Sequence, residues 1–534
     1  VCGIREWTNL CTRSSQNRRS ALDEGDSFNK FRTQLKYQKF TGVSLSPLPG
    51  AKSEVTAKQR KTDLAAEFIG KKYPETLKYQ FPATGYKNTM LATDNAIDRI
   101  DSVRRGSTKG NTMQALIKLI DQIKIQPTVT RRDFSYDSLK EHFIQVVNRE
   151  TANLRDDSMS GFPSAYIYQT KGKEIADTTI LWFMYYSCIN QLLEIVQINK
   201  FDNYESQMFS ISNLYAAYFL IIQKNEAHDE KKISQGRYRT LQVCNTISYI
   251  FSDYLYGETH DPTSWQSTYC AAGMDASTTI KRDAIRNKIL SWKGKMRTSS
   301  DITGYEWSTQ EIDWILWTLE KAWKLGKISV SQLKSMQEMN IKGLRMFLEH
   351  NDDLWFRCAW ANCCKNGNSH VIYEDGSVMS LMLSDNTPLL WRNPSGHKGT
   401  ADFGSSSRAM LEIQIGLDNG FDDVECITMG DDCVSTLPKE ILEREAHKYG
   451  RIVKDVIQSE VIVEFCGYEH NLRDRTDRFL RVNKTLAAFA CGPKTPEQWQ
   501  GMYNVLKDEV NVMEIPTCPF SPAQSTSVEM PSNM

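Results

Sequence analysis

The stretch from Val424 to Leu437 constrains this chain more than any other. Two short apolar runs flank Gly430-Asp431-Asp432. A Gly-Asp pair between β-prone runs signals a hairpin. The hairpin would carry two adjacent carboxylates at an exposed tip, held by two buried strands. Aspartates on such a turn suit Mg²⁺, which takes hard oxygen ligands and keeps positions open for phosphate. An ordinary solvated turn fits the same tripeptide, so its meaning depends on partners elsewhere in the chain.

At 534 residues the chain exceeds one ordinary core, and two to four subdomains are expected. The 40% apolar and 24% charged content is that of a globular protein, not a disordered one. Net charge is zero, so a polyanion must be met by a local basic groove and not by a basic protein as a whole. The 13 cysteines follow no disulfide framework and no signal peptide precedes them, which favours free thiols in a reducing compartment. Val1 in place of Met suggests a cleavage product or a trimmed chain. The most apolar run, Ile180 to Ile189, is about half the ~20 residues a membrane span needs and is predicted to be a buried core helix.

In chain order, residues 1 to about 60 read as an irregular arm, and Asn111 to Ile125 as a helix. The Ser/Pro-rich tail from about Thr517 has little core-forming content and is expected to be mobile. Asp157 to Ser164, with Lys171-Gly172-Lys173 beyond it, reads as a surface turn or a strand-guiding loop. Lys224, Lys231, Lys232, Arg237 and Arg239 are interleaved with acids. In a strand, Arg237 and Arg239 would face one side, a geometry suited to a triphosphate; a solvated charged face is the alternative. Asp301 ends an expected strand and Glu306 sits at the strand-to-helix turn, with Ser308 as the expected cap of a helix from about Thr309. His370 to Leu381 is a second expected hairpin, turning at Asp375-Gly376. Asn393 to Arg408 begins as a Pro-Ser-Gly loop and becomes a helix from about Thr400. Lys454 alone reads as a surface lysine, and Val461 to Glu469 as an apolar strand ending in a turn. Cys358, Cys363 and Cys364 lie near His350 and His370, but their spacing is not that of a paired zinc site, and buried thiols are expected.

The order of these segments resembles a positive-strand viral RNA-dependent RNA polymerase, and within that group the sobemovirus-, barnavirus- and luteovirus-like enzymes. The resemblance rests on Lys224-Asn225-Glu226-x-His228, Gly236-Arg237-Tyr238-Arg239, Asp301 to Ser308, Ser395-Gly396-x-x-x-Thr400, Gly430-Asp431-Asp432 and Phe465-Cys466, spread from about Ser158 to Gly467. It implies an α+β fold, a closed right hand with fingers, a palm of antiparallel sheet plus helices, and a small thumb. Laid on this chain, 1–130 would be an N-terminal extension wrapping the fingertips and 131–290 the fingers. Residues 291–330 would be the first part of the palm, 331–394 an insertion between fingers and palm with its hairpin, and 395–470 the second part of the palm. The thumb and tail would be 471–534.

The resemblance further implies template-directed RNA synthesis with Mg²⁺, or Mn²⁺ as substitute, held by Asp301 and Asp431 with Asp432 assisting. Lys454 would be the proton donor to pyrophosphate. Lys224, Lys232, Arg237 and Arg239 would bind the triphosphate, and Glu306, Ser395, Thr400 and Gly404 the rest of the nucleotide. Ser158, Gly161, Pro163, Gly396, Phe465 and Cys466 would contact RNA. Implied partners are template, primer and nascent RNA and nucleoside triphosphates, with viral replication or capsid proteins as further candidates. The implied place is the host cytoplasm, in a replication complex or with the virion, without a transmembrane segment. Two positions depart from the family. Glu306 stands where Asp is usual, and Gly404 where Asn is usual, both at positions tied to the ribose 2′-hydroxyl. A sugar contact moved to Ser405 or Ser406, or a weakened one, would follow. A non-catalytic polymerase-like RNA-binding component is the alternative reading; a reverse transcriptase fits less well, because its hairpin usually begins with an aromatic residue.

Overall fold

The computed structural model describes residues 30–123, 133–150, 154–198, 218–259, 269–271 and 278–520. Residues 1–29 of the expected arm, and the tail from 521 onward, lie outside the described residues. The fold mixes helices with sheets that are antiparallel except for one pairing. In chain order the strands are β1 (Gln38–Ser44), β2 (Tyr79–Gln80), β3 (Phe219–Gln223), β4 (His228–Asp229), β5 (Thr240–Val243), β6 (Arg297–Ile302), β7 (His370–Tyr373), β8 (Ser377–Leu381), β9 (Cys426–Met429), β10 (Asp432–Ser435), β11 (Val453–Ser459), β12 (Ile462–Phe465), β13 (Tyr468–Asn471) and β14 (Thr476–Phe479).

The sheet that carries the hairpin has the order β11-β6-β10-β9. β9 and most of β10 are buried and read as short apolar runs, whereas β6 (Arg297–Ile302) buries polar side chains and the edge strand β11 is partly exposed. Successive side chains still point to opposite faces. Cys426 and Cys433 join the large core with Phe403 and Met410, while Ile427 and Val434 pack with Ile285, Ile289 and Phe465 on the other side. The long Thr400–Asp418 helix covers the first face, and Phe403 stacks on Trp314 with ring centroids 3.9 Å apart.

A second sheet has the order β1-β8-β7-β3-β5, with β3 and β7 parallel. Here the expectation of an irregular arm fails for residues 38–44: β1 pairs with β8, Gln38 opposite Leu381. Polar, exposed residues along β1 hid it, because an edge strand needs only backbone partners and can keep its side chains in water. The Asp375-Gly376 hairpin forms as expected, with Gly376 at φ 84°.

The Ile180 to Ile189 run lies inside the Thr178–Ile198 helix, where Leu181, Trp182, Met184, Tyr185, Cys188 and Ile189 are buried. Among the described residues no helix is long and apolar enough to cross a membrane. The helix after Glu306 begins at Glu311, and Ser308 is not its cap; Ser308 Oγ donates to the Tyr305 carbonyl. Gln310 caps instead, its backbone N–H donating to Asp313 Oδ2 at 2.9 Å. Asp313 also accepts from Asn111 at 2.6 Å and from Arg451 at 2.8 Å, both deep in the core. At the other end, the Val482–Cys491 and Pro496–Leu506 helices pack on Leu64–Lys72 through Leu486, Ala490, Trp499, Ala66 and Ile69. The C-terminal unit therefore borrows its core from the N-terminal region.

Candidate active site

The hairpin closes between Met429 and Asp432, leaving Gly430 and Asp431 as its two loop residues. Gly430 has φ 60°, a conformation a side chain would strain. The tip is half-buried, not exposed as expected, because the sheet and the turn after β12 crowd it. β6 lies beside β10 with Ser300 opposite Cys433. Continuing that register by one residue sets Asp301 opposite Asp432. On its other edge Asp301 pairs with Lys454 of β11, whose Nζ is 3.4 Å from Asp301 Oδ2. One short strand thus places Asp301 between the hairpin carboxylates and an ammonium.

The three acids do not behave alike. Burial pushes Asp431 well above the usual carboxylate range, helped by its hydrogen bond to Asp301 and the charges of Asp301 and Asp432. Burial and the Asp301 charge push Asp432 up to about 7. Burial works to raise Asp301 too, but the bond from Asp431 and the Lys454 ammonium outweigh it and hold Asp301 below its usual value. Asp432 Oδ2 is further engaged by the Cys466 backbone N–H at 3.1 Å. Like charges at such range cannot all ionise unless a cation joins them. The donors are hard carboxylate oxygens, which fit Mg²⁺ or Mn²⁺. Among the described residues no three His, Cys, Asp or Glu side chains are gathered closely enough to enclose an ion by themselves. A two-carboxylate site leaves the remaining positions for phosphate oxygens and water, as Mg²⁺ usually prefers.

Beneath the acids lies a residue the sequence pattern did not single out. Arg408 is fully buried and donates to the Asp431 carbonyl at 3.1 Å, to Ser300 Oγ at 2.6 Å and to Glu412 Oε1 at 2.5 Å. Glu412 accepts in turn from Ser435 Oγ at 3.0 Å. Residues four apart on a helix meet on one face, so the Arg408–Glu412 spacing was visible, but nothing in the sequence distinguished it from a surface pair. Ser405 adds a second anchor: its Oγ accepts from the Gly430 N–H at 2.9 Å and its carbonyl from Thr428 Oγ1 at 2.8 Å.

Above the acids is a basic field. Arg237 and Arg239 do not lie on a strand as expected; they precede β5 in an extended segment, and Lys232 sits on the short Glu230–Ser234 helix. They still converge. Burial pushes the Lys232 amine down, and Lys454, Arg237 and Arg239 push it further. Glu226 holds this field together: Lys224 Nζ is 3.5 Å away, His228 Nε2 3.6 Å, Arg239 Nη1 3.9 Å and Lys484 Nζ 3.9 Å. Lys484, from the C-terminal helix, escaped sequence reasoning because it lies beyond every motif. Glu306 faces the same field: burial pushes it up, against the pull of Arg239, Lys224 and Arg99.

The remaining expected residues divide. Ser395 Oγ accepts from the Gln242 N–H at 3.2 Å, and Gly396 lies so close to β5 that an added Cβ would be 2.1 Å from the Gln242 carbonyl. Thr400 Oγ1 donates to Asn393 Oδ1 at 3.1 Å. Gly404 lies against the hairpin, its added Cβ 3.5 Å from Gly430 Cα. Neither serine after it is free for a sugar: Ser405 is spent on the hairpin, and Ser406 donates to Glu320 Oε2 at 3.0 Å in the core. Phe465 is buried among Ile427, Val434 and Val463, so its ring cannot touch RNA; Cys466 and Gly467 turn the chain there at φ 52° and 79°. Ser158 donates to the Arg155 carbonyl, and Gly161 lies against Asn245, whose Nδ2 donates to the Phe162 carbonyl just before Pro163. Lys171 is not a surface lysine; its Nζ is buried on the Met159 and Cys244 carbonyls. Cys358, Cys363 and Cys364 are core thiols of the Leu354–Asn366 helix, and burial pushes Cys363 up to about 12, which disfavours the thiolate a zinc ion needs.

With this geometry in place, the sequence comparisons are decisive for the family. Residues 213–490 match the viral RNA-directed RNA polymerases, and the chain belongs to that family. Membership implies binding of RNA and nucleoside triphosphates and a general dependence on divalent metal. The chain is also similar to the replicase polyprotein P2AB of Southern cowpea mosaic virus, 31% identical over 283 residues. That stretch is 51% of this chain and 25% of the polyprotein, so the chain matches about a quarter of the length of its relative. The family match begins after the Ser158 to Pro163 loop, which stands outside it.

Two outcomes follow from the buried pair and the acids. Arg408→Met strands Glu412 and costs about 3–5 kcal/mol in chemical denaturation. Adding Glu412→Leu recovers most of that stability but leaves the Asp431 carbonyl and Ser300 unsupported, so Mg²⁺ affinity in titration calorimetry stays low. The second concerns pH. Unfolded aspartates titrate near ~3.9, so between about pH 4 and 7 the folded protein holds a proton on Asp432 that the unfolded chain lacks, with Asp431 shifted in the same direction, and stability falls as pH rises through that window. If these carboxylates are its ligands, Mg²⁺ replaces those protons. Its stabilisation in thermal unfolding grows between about pH 5 and about pH 8; an equal shift at both values would remove these carboxylates as its ligands.

Proposed function

We propose that this chain copies RNA templates by joining nucleoside triphosphates to an RNA 3′-hydroxyl with release of pyrophosphate. The observation that carries the reading is the meeting of Asp301 and Asp431 beneath the basic field of Lys224, Lys232, Arg237 and Arg239. Acids and cations face one space, which is what a triphosphate with its ions requires. Asp301 and Asp431 would hold two Mg²⁺ ions, or Mn²⁺, with Asp432 assisting. When bound, the ions supply charge neutralisation for in-line phosphoryl transfer. The side chains do the rest by position. Arg237 and Arg239 fork onto phosphate oxygens, and Lys224 and Lys232 add point charge. Lys454, beside Asp301, holds the proton passed to the leaving pyrophosphate. Glu306, Ser395, Thr400 and Gly404 border the ribose; Ser158, Gly161, Pro163, Gly396 and the Cys466 turn border RNA strands.

The proposal carries a closed right hand. The β11-β6-β10-β9 sheet with the Thr400–Asp418 helix is the palm, in two parts at 291–330 and 395–470. Residues 131–290 are the fingers, 331–394 the insertion, 471–534 the thumb, and 1–130 an extension that closes the hand. The thumb's shared core with Leu64–Lys72 supports that closure. Similarity to a replicase polyprotein supports a place in a viral replication complex in the host cytoplasm, with other viral proteins as partners.

Template-dependent incorporation of labelled nucleotide with Mg²⁺ tests the reading. Asp431→Asn falls below about one hundredth of wild type, the scale on which loss of one preorganised charge acts. Full incorporation by that variant removes the metal assignment. RNA binding without incorporation by wild type, under both metals, establishes the non-catalytic alternative.

A further inference from the structure

The Tyr86–Arg105 helix belongs to the N-terminal region, before the family match begins. It touches both walls of the nucleotide site. Asn95 Nδ2 donates to the Gly236 carbonyl at 3.0 Å, next to Arg237. Ile100 lies under Gly304, where an added Cβ would be 2.8 Å from Ile100 Cγ2, two residues before Glu306. Arg99 is four residues from Asn95, on the same helix face, and one residue from Ile100. The two anchors therefore aim it into the gap between the Arg237 segment and the Glu306 turn. Its Nη1 is buried and has no hydrogen-bond partner. The residue as a whole is half-buried, and a buried donor without an acceptor is costly. Glu306 and Arg237 are among the charges that act on it, so its strongest attraction there is to the Glu306 carboxylate.

We propose that Arg99 is a specificity-determining residue of the nucleotide site, which fixes the Glu306 carboxylate toward the ribose of the incoming nucleoside triphosphate. This rests on the nucleotide-site reading above. Arg99 acts through Glu306 and is a positioning residue. It also gives the N-terminal region a part in substrate choice and not only in closing the hand. The longer Glu306 side chain, one methylene beyond aspartate, gains a fixed orientation from a cation on a second element.

Steady-state incorporation of ribo- and deoxynucleotides tests this. Arg99→Gln raises KM for ribonucleotides roughly tenfold and lowers the ribo-to-deoxy ratio of kcat/KM by a similar factor, the scale of one charge-assisted contact. Affinity for template RNA stays at the wild-type value. Arg99→Lys keeps the charge and recovers most of the KM loss. In a Glu306→Gln background Arg99→Gln changes the ratio no further, because the two act as one unit. An unchanged KM and ratio in Arg99→Gln, or full additivity in the double variant, overturns the inference. A fall in kcat alone, with loss of thermal stability and no change in KM or ratio, also overturns it, since that is a purely structural role. Wild-type and Asp431→Asn assays run alongside separate the levels. Inactive wild type overturns the polymerase reading and this one together, whereas active wild type, inactive Asp431→Asn and an unaffected Arg99→Gln overturn this inference alone.

Discussion

The site depends on one buried ion pair. Arg408 and Glu412 have no exposure at all, and between them they tie the Thr400–Asp418 helix to Ser300 on β6, to the Asp431 carbonyl at the hairpin tip and to Ser435 on β10. Buried pairs seldom add stability over a well-packed apolar core. What this one adds is geometry. The Asp301 strand and the Asp431 hairpin are more than a hundred residues apart in sequence, and an apolar contact between them would permit sliding. Hydrogen bonds from one rigid guanidinium to both do not.

On that base, two opposed fields stand side by side in a chain whose net charge is zero. The acids repel one another and draw a proton or a cation. On the opposite wall burial pushes Lys232 and Lys484 down, and the neighbouring cations add to that push. Lys454 and Glu226 cross the divide, each placed among charges of the other sign. On the proposed reading a triphosphate with divalent metal would satisfy both fields at once, and its binding would draw on electrostatic tension that exists before substrate arrives.

The sequence made the chemistry legible where chemistry and local geometry coincide. Gly430-Asp431 reads as a hairpin because turn chemistry is local, and Asp301 reads as a strand end because the helix after it is strongly periodic. Reading failed where a role comes from distant packing. β1 looked like an arm because its partner, β8, lies 340 residues on and shields little of it. Lys171 looked exposed because only the fold reveals the two carbonyls that take its charge. Lys484 and Arg99 carry no signal in one sequence, and the visible Arg408–Glu412 spacing does not show that the pair is buried against β6 and the hairpin. Phe465 was misassigned for a related reason: its turn reaches the acids through the Cys466 backbone while its ring serves the core.

Gly404 and Glu306, the two departures from the family pattern, are linked through packing. An added Cβ at Gly404 would lie 3.3 Å from Asn393 Nδ2 and 3.5 Å from Gly430 Cα. An asparagine there would press on both the hairpin and the Asn393 amide, which is itself fixed through His397 and Thr400. Glycine relieves that crowding and forfeits an amide. Ser405 and Ser406 are committed elsewhere, so on the proposed reading sugar recognition falls to the wall that holds the Glu306 carboxylate. That wall holds Glu306, longer than aspartate by a methylene, and the Asn393 N–H donates to the Glu306 carbonyl at 2.7 Å. Gly404 and Glu306 thus meet through Asn393, and Arg99 is the counter-charge proposed for the longer acid.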